Sequence, residues 1–283
     1  MKLTKETKFL IIGLGLMGGS YAIALSKQGY RVKAISDRQD SIDFAVQRKY
    51  IEEGRSFPDP LLIREADVLI FALYPRTFIE WVESYGKWIP SGSLVTDVTG
   101  VKEAVVNRIQ AILPDGVEFI ASHPMAGREV YGVENATDSI FREANFIVTP
   151  TKNNSEEAID FCRLLGKTLG FSRISTLSLK EHDDMIAFLS QLTHCIAVAL
   201  MNANDSPHLV DYTGDSFRDL TRIAKINEDM WTELFLLNKE ALLLHMDRFE
   251  ASFRRLRDAL EKEDRSTMKE LMRKSTERRE QFD

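Results

Sequence analysis

The chain has little cysteine, no excess of positive charge and no long apolar run near its start, and each shortage excludes a class of protein. Only Cys162 and Cys195 occur among 283 residues, without metal-ligand spacing, so the sequence predicts neither a disulfide framework nor a metal site. The formal net charge of −6 argues against general affinity for nucleic acid, which requires a basic field. We therefore expect no nucleic-acid partner and a reducing, cytoplasmic compartment.

The apolar run from Phe9 to Leu16 is interrupted by Gly13 and Gly15 and is too short to span a bilayer. It also lacks a signal-peptide cleavage pattern, so we expect no membrane partner. A hydrophobic content of 44% over 283 residues is enough for two domains with sizeable cores.

The first 175 or so residues alternate short β-rich runs with helical patterns, which is typical of a mostly parallel sheet covered by helices. The predicted strands are Lys8–Ile12, Arg31–Ser36, Val68–Leu73, Leu94–Asp97, Glu118–Ser122, Phe146–Thr149 and Ser172–Ser175. The predicted helices are Gly18–Lys27, Ser41–Arg48, Pro75–Tyr85, Lys102–Ile112 and Ser155–Leu169. We therefore predict an α/β, Rossmann-type domain over residues 1–176.

From Ser178 onward the strand signal disappears and long apolar periodicities replace it. One apolar stripe runs from Met230 to Leu260 and predicts a single helix of about 30 residues, longer than a typical helix. A stripe of that length usually packs on a partner helix, which favours a dimer. Residues 177–283 are therefore predicted to form an all-helical dimerisation domain.

A glycine motif, Gly13-Leu14-Gly15-Leu16-Met17-Gly18, follows the first predicted strand and leads into a helix. In a dinucleotide site the first glycine permits a tight turn, the second admits the pyrophosphate and the third lets helix and strand pack closely. The alternative is a glycine-rich turn that binds nothing. The context favours a cofactor site formed by Gly13, Gly15, Leu16, Met17 and Gly18.

Asp37 ends the second strand, 19 residues after Gly18, where a carboxylate accepts hydrogen bonds from the adenosine ribose and repels a 2′-phosphate. This position favours NAD as the cofactor. Arg38 leaves NADP as an alternative, since an arginine there either stacks on adenine or pairs with a 2′-phosphate.

His123 lies just past the predicted strand Glu118–Ser122, at the edge of the sheet where ligands of open parallel sheets bind. Imidazole titrates near neutral pH and accepts a proton from a hydroxyl while a hydride leaves the same substrate. A buried histidine with a purely structural role is the alternative. The position favours His123 as a catalytic base.

Two further groups of polar residues lie in the helical half. Arg218 and Arg222 are four residues apart, so they share one face of a helix and offer planar forks for a carboxylate, unless they form a surface pair with Asp219. His182 and His194 are too far apart to share a metal ion on one helix. Each is either a polar neighbour of the substrate or a histidine on a helix face.

Taken together, these motifs resemble the prephenate and arogenate dehydrogenases of tyrosine biosynthesis. The resemblance rests on Gly13–Gly18, Asp97–Lys102, His123–Glu129, Phe217–Ala224 and Trp231, in the same order as in the family. It implies an NAD-dependent homodimer that decarboxylates prephenate oxidatively to 4-hydroxyphenylpyruvate. Arogenate as the substrate is the nearest alternative, and a dimer that senses NAD without catalysis is an alternative of another class.

The resemblance also implies roles for individual residues. His123 corresponds to the family's catalytic histidine, which hydrogen-bonds the ring hydroxyl, and Arg222 to an arginine that binds a substrate carboxylate. His194 corresponds to a second histidine that faces the pocket. Glu129 and Asp219 correspond to acidic residues of an ionic network at the site entrance. Trp231 corresponds to an aromatic residue of the pocket wall.

Two of the positions that depart from the family's pattern bear directly on the site. Gly100 stands where many relatives carry the serine that supports the catalytic histidine, so we expect Thr99 to take over that support from one position away. Arg128 stands where a small or hydroxyl residue is common, and it is expected to add a carboxylate contact. That second contact favours prephenate over arogenate, because arogenate carries an amine on its side chain.

Overall fold

The computed structural model of the protein describes residues 2–128 and 130–282. Its strands are β1 Lys8–Ile12, β2 Arg31–Ile35, β3 Glu53–Arg55, β4 Val68–Phe71, β5 Leu94–Asp97, β6 Glu118–Phe119, β7 Ala121–Met125, β8 Asn145–Thr149 and β9 Arg173–Thr176. Its helices are α1 Leu16–Lys27, α2 Gln39–Gln47, α3 Pro60–Arg64, α4 Pro75–Tyr85, α5 Glu103–Ile112, α6 Glu156–Leu169, α7 Leu179–Ile186, α8 Leu192–Asn202, α9 Leu209–Tyr212, α10 Asp215–Thr221, α11 Glu228–Leu237, α12 Lys239–Glu261 and α13 Arg265–Arg279.

Six parallel strands form the main sheet, in the order β3-β2-β1-β4-β5-β6. Successive side chains of a strand point to opposite faces, and here both faces are buried. Phe9 and Ile11 of β1 belong to a core with α1 and α6, whereas Leu10 and Ile12 belong to a second core with α4 and α5. The prediction of a Rossmann-type, mostly parallel sheet followed by a helical region is confirmed.

A second, three-stranded sheet has the order β7-β8-β9, with β7 antiparallel to β8. The predicted strand Glu118–Ser122 is therefore divided between two sheets, and His123 lies inside β7, opposite Ile147, rather than past a strand end. The predicted strand ended at Ser122, before Pro124, whereas β7 continues through Pro124 to Met125. Since β7 is an edge strand, Pro124 is tolerated within it.

The Ser122 backbone and side chain attach β7 to the carboxyl end of β5. Its amide donates to Asp97 Oδ1 at 3.0 Å, and its hydroxyl donates to the Asp97 carbonyl at 2.8 Å. His123 consequently lies next to the edge of the main sheet where ligands of this architecture bind, as expected, although it arrives there on a different sheet.

The other predicted strands and helices of the first half are present, with ends that shift by at most two residues. Two short elements, β3 and α3, were not predicted. The β3 sequence Glu-Gly-Arg carries no alternation of apolar and polar residues. Helix α3 begins with Asp59 as its cap and Pro60 in its first turn, and an Asp-Pro pair is also typical of a loop.

The π-helical segment Ala187–Gln191 joins α7 and α8 into one helix from Leu179 to Asn202. This 24-residue helix is apolar and long enough to cross a membrane by length and composition alone, a test that core helices of soluble proteins also pass. It carries His182 and Asp183, which are buried against the first half of the chain.

The predicted single helix from Met230 to Leu260 is wrong, because the structure divides it at Asn238 into α11 and α12. The buried Asn238 side chain donates to the Asp183 carbonyl at 2.8 Å and to Gln191 Oε1 at 2.9 Å. Asn238 thus connects the break between α11 and α12 to the π-helical segment. An apolar stripe cannot reveal this break, since both helices continue the same stripe.

Replacing Asn238 by leucine should destabilise the protein, because two buried acceptors lose their shared donor. An unsatisfied buried group costs about 1–3 kcal/mol, so we expect a loss of about 3 kcal/mol in urea unfolding measured at one protein concentration. Asn107→Ala is the matched control, since Asn107 is exposed and bonds only within its own helix. Equal losses for the two variants would contradict the role given to Asn238.

Candidate active site

His123 on β7 is held by a second histidine, His182 on α7. His123 Nδ1 and His182 Nε2 are 2.9 Å apart, and the two rings are inclined by 59°. His123 is only partly buried as a residue, whereas His182 is completely buried. Its partial exposure lets His123 meet a substrate, and the buried neighbour sets its orientation.

His182 is followed by Asp183, whose carboxylate joins the two halves of the chain. Asp183 Oδ1 lies 2.7 Å from His182 Nδ1. The same carboxylate accepts the backbone amides of Lys102 and Glu103, both at 2.8 Å, at the start of α5. A carboxylate at a helix N-terminus is favoured by the unpaired N–H groups there. Helix α7 begins with a capping box between Ser178 and Glu181, which sets where His182 emerges.

Burial lowers the pKa of His123 well below its usual 6.5, and neighbouring His182 and Lys102 lower it further. The pKa of His182 is also lowered, mainly by burial, although its hydrogen bond to Asp183 opposes the shift. Both rings are therefore neutral at physiological pH. A neutral His123 has a nitrogen lone pair with which to accept a proton.

A buried ion pair lies beneath the histidines. Lys102 Nζ donates to Asp97 Oδ2 at 2.6 Å and to the Ser122 carbonyl at 2.6 Å, with all of its side chain buried. Burial lowers the pKa of Lys102, against the opposing attraction of Asp97. The lysine thus connects the carboxyl end of β5 to β7, one residue before His123.

The expected support of His123 by Thr99 is wrong in this structure. The buried Thr99 hydroxyl hydrogen-bonds the Asp97 carboxylate and the Val101 carbonyl, and it lies 3.2 Å from Lys102 Nζ. It therefore helps to satisfy the ion pair, and the nitrogen of His123 that a hydroxyl would support is already paired with His182.

The glycine loop has the geometry that a dinucleotide requires. Gly13 has φ of +99°, and a Cβ there would lie 2.5 Å from the Ala72 carbonyl oxygen. A Cβ at Gly18 would lie 1.9 Å from the Gly13 carbonyl, so close packing of helix on loop excludes other residues. Gly15 faces open space and caps α1 without a side-chain hydrogen bond, which leaves the amides of Leu16 and Met17 for an anion.

Asp37 and Arg38 lie beyond the end of β2, and both are exposed. Arg38 forms a paired hydrogen bond with Asp40 through Nε, at 3.0 Å, and its terminal nitrogen. The guanidinium is thus directed to a carboxylate of its own chain, and the residues at this position fit the ribose of NAD.

His194 and Trp231 are brought together, as a shared pocket requires. Their ring centroids are 3.7 Å apart, and His194 Nδ1 lies 2.8 Å from the Ser190 carbonyl. Arg222 begins a 3-10 turn, Arg222–Ala224, that packs against α8, the helix of His194. Arg218 and Arg222 therefore do not share one regular helix, since α10 ends at Thr221.

Arg128 and Asp219 are exposed on separate segments, and Glu129 lies outside the described residues. The substrate roles of Arg128 and Asp219 therefore stay predictions. Among residues 2–128 and 130–282, no group of three histidine, cysteine or acidic side chains is arranged to hold a metal ion.

The sequence did not predict that Lys102, His182 and Asp183 are hydrogen-bonded to one another and to His123. The His182-Asp183 pair is visible in the sequence, but its partners lie far away along the chain, at separations of 59 residues for His123 and 81 for Lys102. Only the tertiary structure brings the pair to β7 and α5.

The sheet, the glycine loop and the histidine at its edge define a dinucleotide-dependent dehydrogenase. Residues 21–171 match the prephenate dehydrogenase nucleotide-binding domain, and residues 178–274 match the prephenate dehydrogenase dimerization domain. The chain belongs to the prephenate dehydrogenase family.

Similar proteins cover the whole chain. Prephenate dehydrogenase of Bacillus subtilis is 30% identical over 93% of this chain and 72% of its own length. Cyclohexadienyl dehydrogenase of Zymomonas mobilis is 28% identical over 95% of this chain and 94% of its own. The crystal structure of prephenate dehydrogenase from A. aeolicus, in complex with hydroxyphenyl propionate and NAD+, superposes with a TM-score of 0.91, 28% identity and 100% coverage of both chains.

A valine at Gly15 should weaken NAD binding without unfolding the protein. The new side chain enters open space in the structure, and that space is where we expect the pyrophosphate. We expect at least a tenfold loss of affinity, about 1.4 kcal/mol, by titration calorimetry, with an unchanged melting temperature. Unaltered NAD affinity would show that the loop does not hold the pyrophosphate.

The lowered pKa of His123 determines the pH range in which it acts as a base. Since only the neutral ring accepts a proton, kcat/KM should be flat from pH 6.5 upward and fall only well below that value. Between about pH 6.5 and the lowered pKa of the folded rings, the unfolded histidines bind protons that the folded ones do not, so stability falls across that interval, before activity does. Melting temperatures at each pH are the control, and an acid limb centred at or above pH 6.5 would contradict the shift.

Proposed function

We propose that this chain is an NAD-dependent prephenate dehydrogenase that oxidises and decarboxylates prephenate to 4-hydroxyphenylpyruvate. The observation that carries the proposal is the neutral, partly exposed His123, held by His182 beside the edge at which this fold binds dinucleotides. Family membership supplies the reaction class. In this proposal residues 1–176 bind the cofactor, and residues 177–283 complete the site and form a homodimer in the cytoplasm.

The cofactor site uses Gly13, Gly15 and Gly18 for close approach, the amides of Leu16 and Met17 for the pyrophosphate, and Asp37 for the ribose. NAD, when bound, supplies the two-electron acceptor of the reaction. The protein's own task is to align the substrate ring, receive its proton and hold its anionic groups.

His123 acts on the ring hydroxyl of the substrate. Its lone pair accepts the hydroxyl proton while the carbon that bears the oxygen is oxidised. The ring carboxylate then leaves as carbon dioxide, and the electrons of the broken bond complete the aromatic ring. Because the product is a phenol, the oxygen recovers a proton, so His123 holds that proton during the step and returns it.

Arginines are suited to the two carboxylates of prephenate because the guanidinium fork pairs with a carboxylate through two hydrogen bonds. Arg222 lies on the turn that packs against α8, the helix that carries His194, and we assign it to one carboxylate. Arg128 follows β7 by three residues and is exposed, which suits a second contact.

Exposed apolar side chains on the helices support the dimer. They include Leu220, Leu236, Leu243, Leu244, Phe253 and Leu260. A soluble chain that exposes many large apolar groups on one set of helices usually covers them with a partner, and the matching family domain is a dimerization domain. A dimer also accounts for the long apolar helix from Leu179 to Asn202.

Arogenate is the alternative substrate. It carries an amine in place of the keto group of prephenate, so a pocket rich in arginine favours prephenate and an acidic pocket favours arogenate. A non-catalytic NAD sensor has no use for a histidine held by a second, buried histidine and a carboxylate, so the arrangement at His123 favours an enzyme.

The direct experiment compares NADH formation by the purified protein with prephenate and with arogenate. We expect a higher kcat/KM with prephenate and production of 4-hydroxyphenylpyruvate. Equal efficiency would overturn the preference, and no turnover of either substrate would overturn the function.

His123→Asn should lower kcat by about 10²- to 10⁴-fold, the usual contribution of a positioned general base. Affinity for NAD, measured by calorimetric titration, should stay within about threefold, since His123 is not one of the residues assigned to the cofactor site. Turnover equal to that of the unmodified protein would remove His123 from the mechanism.

A further inference from the structure

We propose that His182 and Asp183 are positioning residues that hold His123 in a single tautomer, with the proton on Nδ1 and the lone pair on Nε2. The proposal deepens the proposed function, on which it rests, by assigning the nitrogen that receives the proton and the residues that select it. The chain of contacts runs from Asp183 through His182 to His123.

The first step is the acceptor character of Asp183. Its two oxygens receive the backbone amides of Lys102 and Glu103, which can only donate. A protonated carboxyl would place its own hydrogen against these donors. Asp183 therefore acts at this position as an ionised carboxylate that accepts from every neighbour, and its place is set by the first turn of α5.

The second step determines the tautomer of His182. Its Nδ1 lies 2.7 Å from Asp183 Oδ1, and since the carboxylate can only accept, Nδ1 carries the proton. His182 is fully buried and its pKa is lowered, so the ring has only that one proton. Its Nε2 therefore carries a lone pair and can only accept a hydrogen bond.

The third step carries the same logic to His123. Its Nδ1 lies 2.9 Å from the His182 lone pair, so Nδ1 must donate and carry the proton. Burial keeps His123 neutral as well, which leaves Nε2 with the lone pair. The atom across the ring from the buried contact is thus always ready to accept a proton from the substrate.

This arrangement gives His123 a support that does not depend on residue 100, the position where the family resemblance implies a serine in many relatives. A Cβ at Gly100 would lie 3.6 Å from Leu234, so the structure has room for a side chain there but makes no use of one. The support of His123 comes from α7, through a contact with Nδ1, and requires neither a residue 100 side chain nor the Thr99 hydroxyl.

The tautomer is measured directly by 15N NMR on protein labelled at histidine, without substrate or cofactor. The chain has five histidines, so single substitutions assign each resonance. We expect at pH 7.5 a protonated Nδ1 and an unprotonated Nε2 for His123, and the same pattern for His182. An Nε2 proton on His123, or rapid exchange between its tautomers, would overturn the proposal.

Activity of His182 variants gives the second measurement. In His182→Leu the Nδ1 of His123 loses its acceptor, so the proton is free to occupy Nε2 and block the base. We expect kcat to fall by about 10²- to 10⁴-fold with KM changed less than about threefold. His182→Gln offers an amide N–H to Asp183 and a carbonyl to His123, and it should restore kcat to within about tenfold of the unmodified protein.

His245→Leu is the matched control. His245 is also a buried histidine, 3.0 Å from the carboxylate of Asp184, but its ring lies beside that of Phe188, inclined by 48°, and has no contact with His123 among those described. It reports what the loss of a buried histidine costs in folding alone. If His182→Leu lowers kcat no more than His245→Leu, the positioning role is refuted.

The two proposals fail in different ways. The NMR experiment needs no substrate, so it tests the tautomer even if prephenate is not turned over. A correct tautomer without turnover would refute the proposed function alone. Turnover of prephenate with His123 protonated on Nε2 would refute the positioning role alone.

Discussion

The carboxylate of Asp183 joins helix α7 to helix α5 and, through His182, sets the reactive histidine. Three donors converge on it: the backbone amides of Lys102 and Glu103 at the start of α5, and the ring of His182. A carboxylate buried without such donors would cost several kcal/mol, because its charge would be removed from water. With them, it connects helix α7 to the carboxyl edge of the main sheet.

The neighbouring ion pair of Asp97 and Lys102 is likewise buried with hydrogen-bond partners for its charged groups. Both side chains are fully buried, and the remaining donors and acceptors are met by Thr99, Ser122 and the Ser122 carbonyl. Two buried charges that are fully hydrogen-bonded define one arrangement of β5, β7 and α5. Their combined effect is geometric, because they hold the strand that carries His123 at the carboxyl end of β5. The burial that this requires also keeps His123 neutral.

Local features were accessible from the sequence. Alternation of strands and helices and the glycine loop follow from short-range patterns, and the sheet order agrees with them. The pocket roles of His194 and Trp231 were expected from the family resemblance. The residues that hold His123 were not accessible in the same way. Asp183 caps a helix that starts 80 residues earlier, at Glu103, and no local pattern records such a contact.

The errors of prediction have the same origin. Pro124 ends a strand in a central position but not at a sheet edge, and edge position is a property of topology. Asn238 divides an unbroken apolar stripe because its side chain satisfies groups on α7 and the π-helical segment. Thr99 was expected to support His123 because it is next to Gly100 in the sequence, whereas its hydroxyl bonds a buried carboxylate.

A crystal structure of the protein with NAD and a substrate analogue that carries the ring hydroxyl tests the central claim most directly. The account predicts that His123 Nε2 lies about 2.6–3.2 Å from the hydroxyl oxygen, while Nδ1 keeps its contact with His182. A complex in which the His123 ring turns its Nδ1 to the hydroxyl, or leaves His182 on binding, would contradict it.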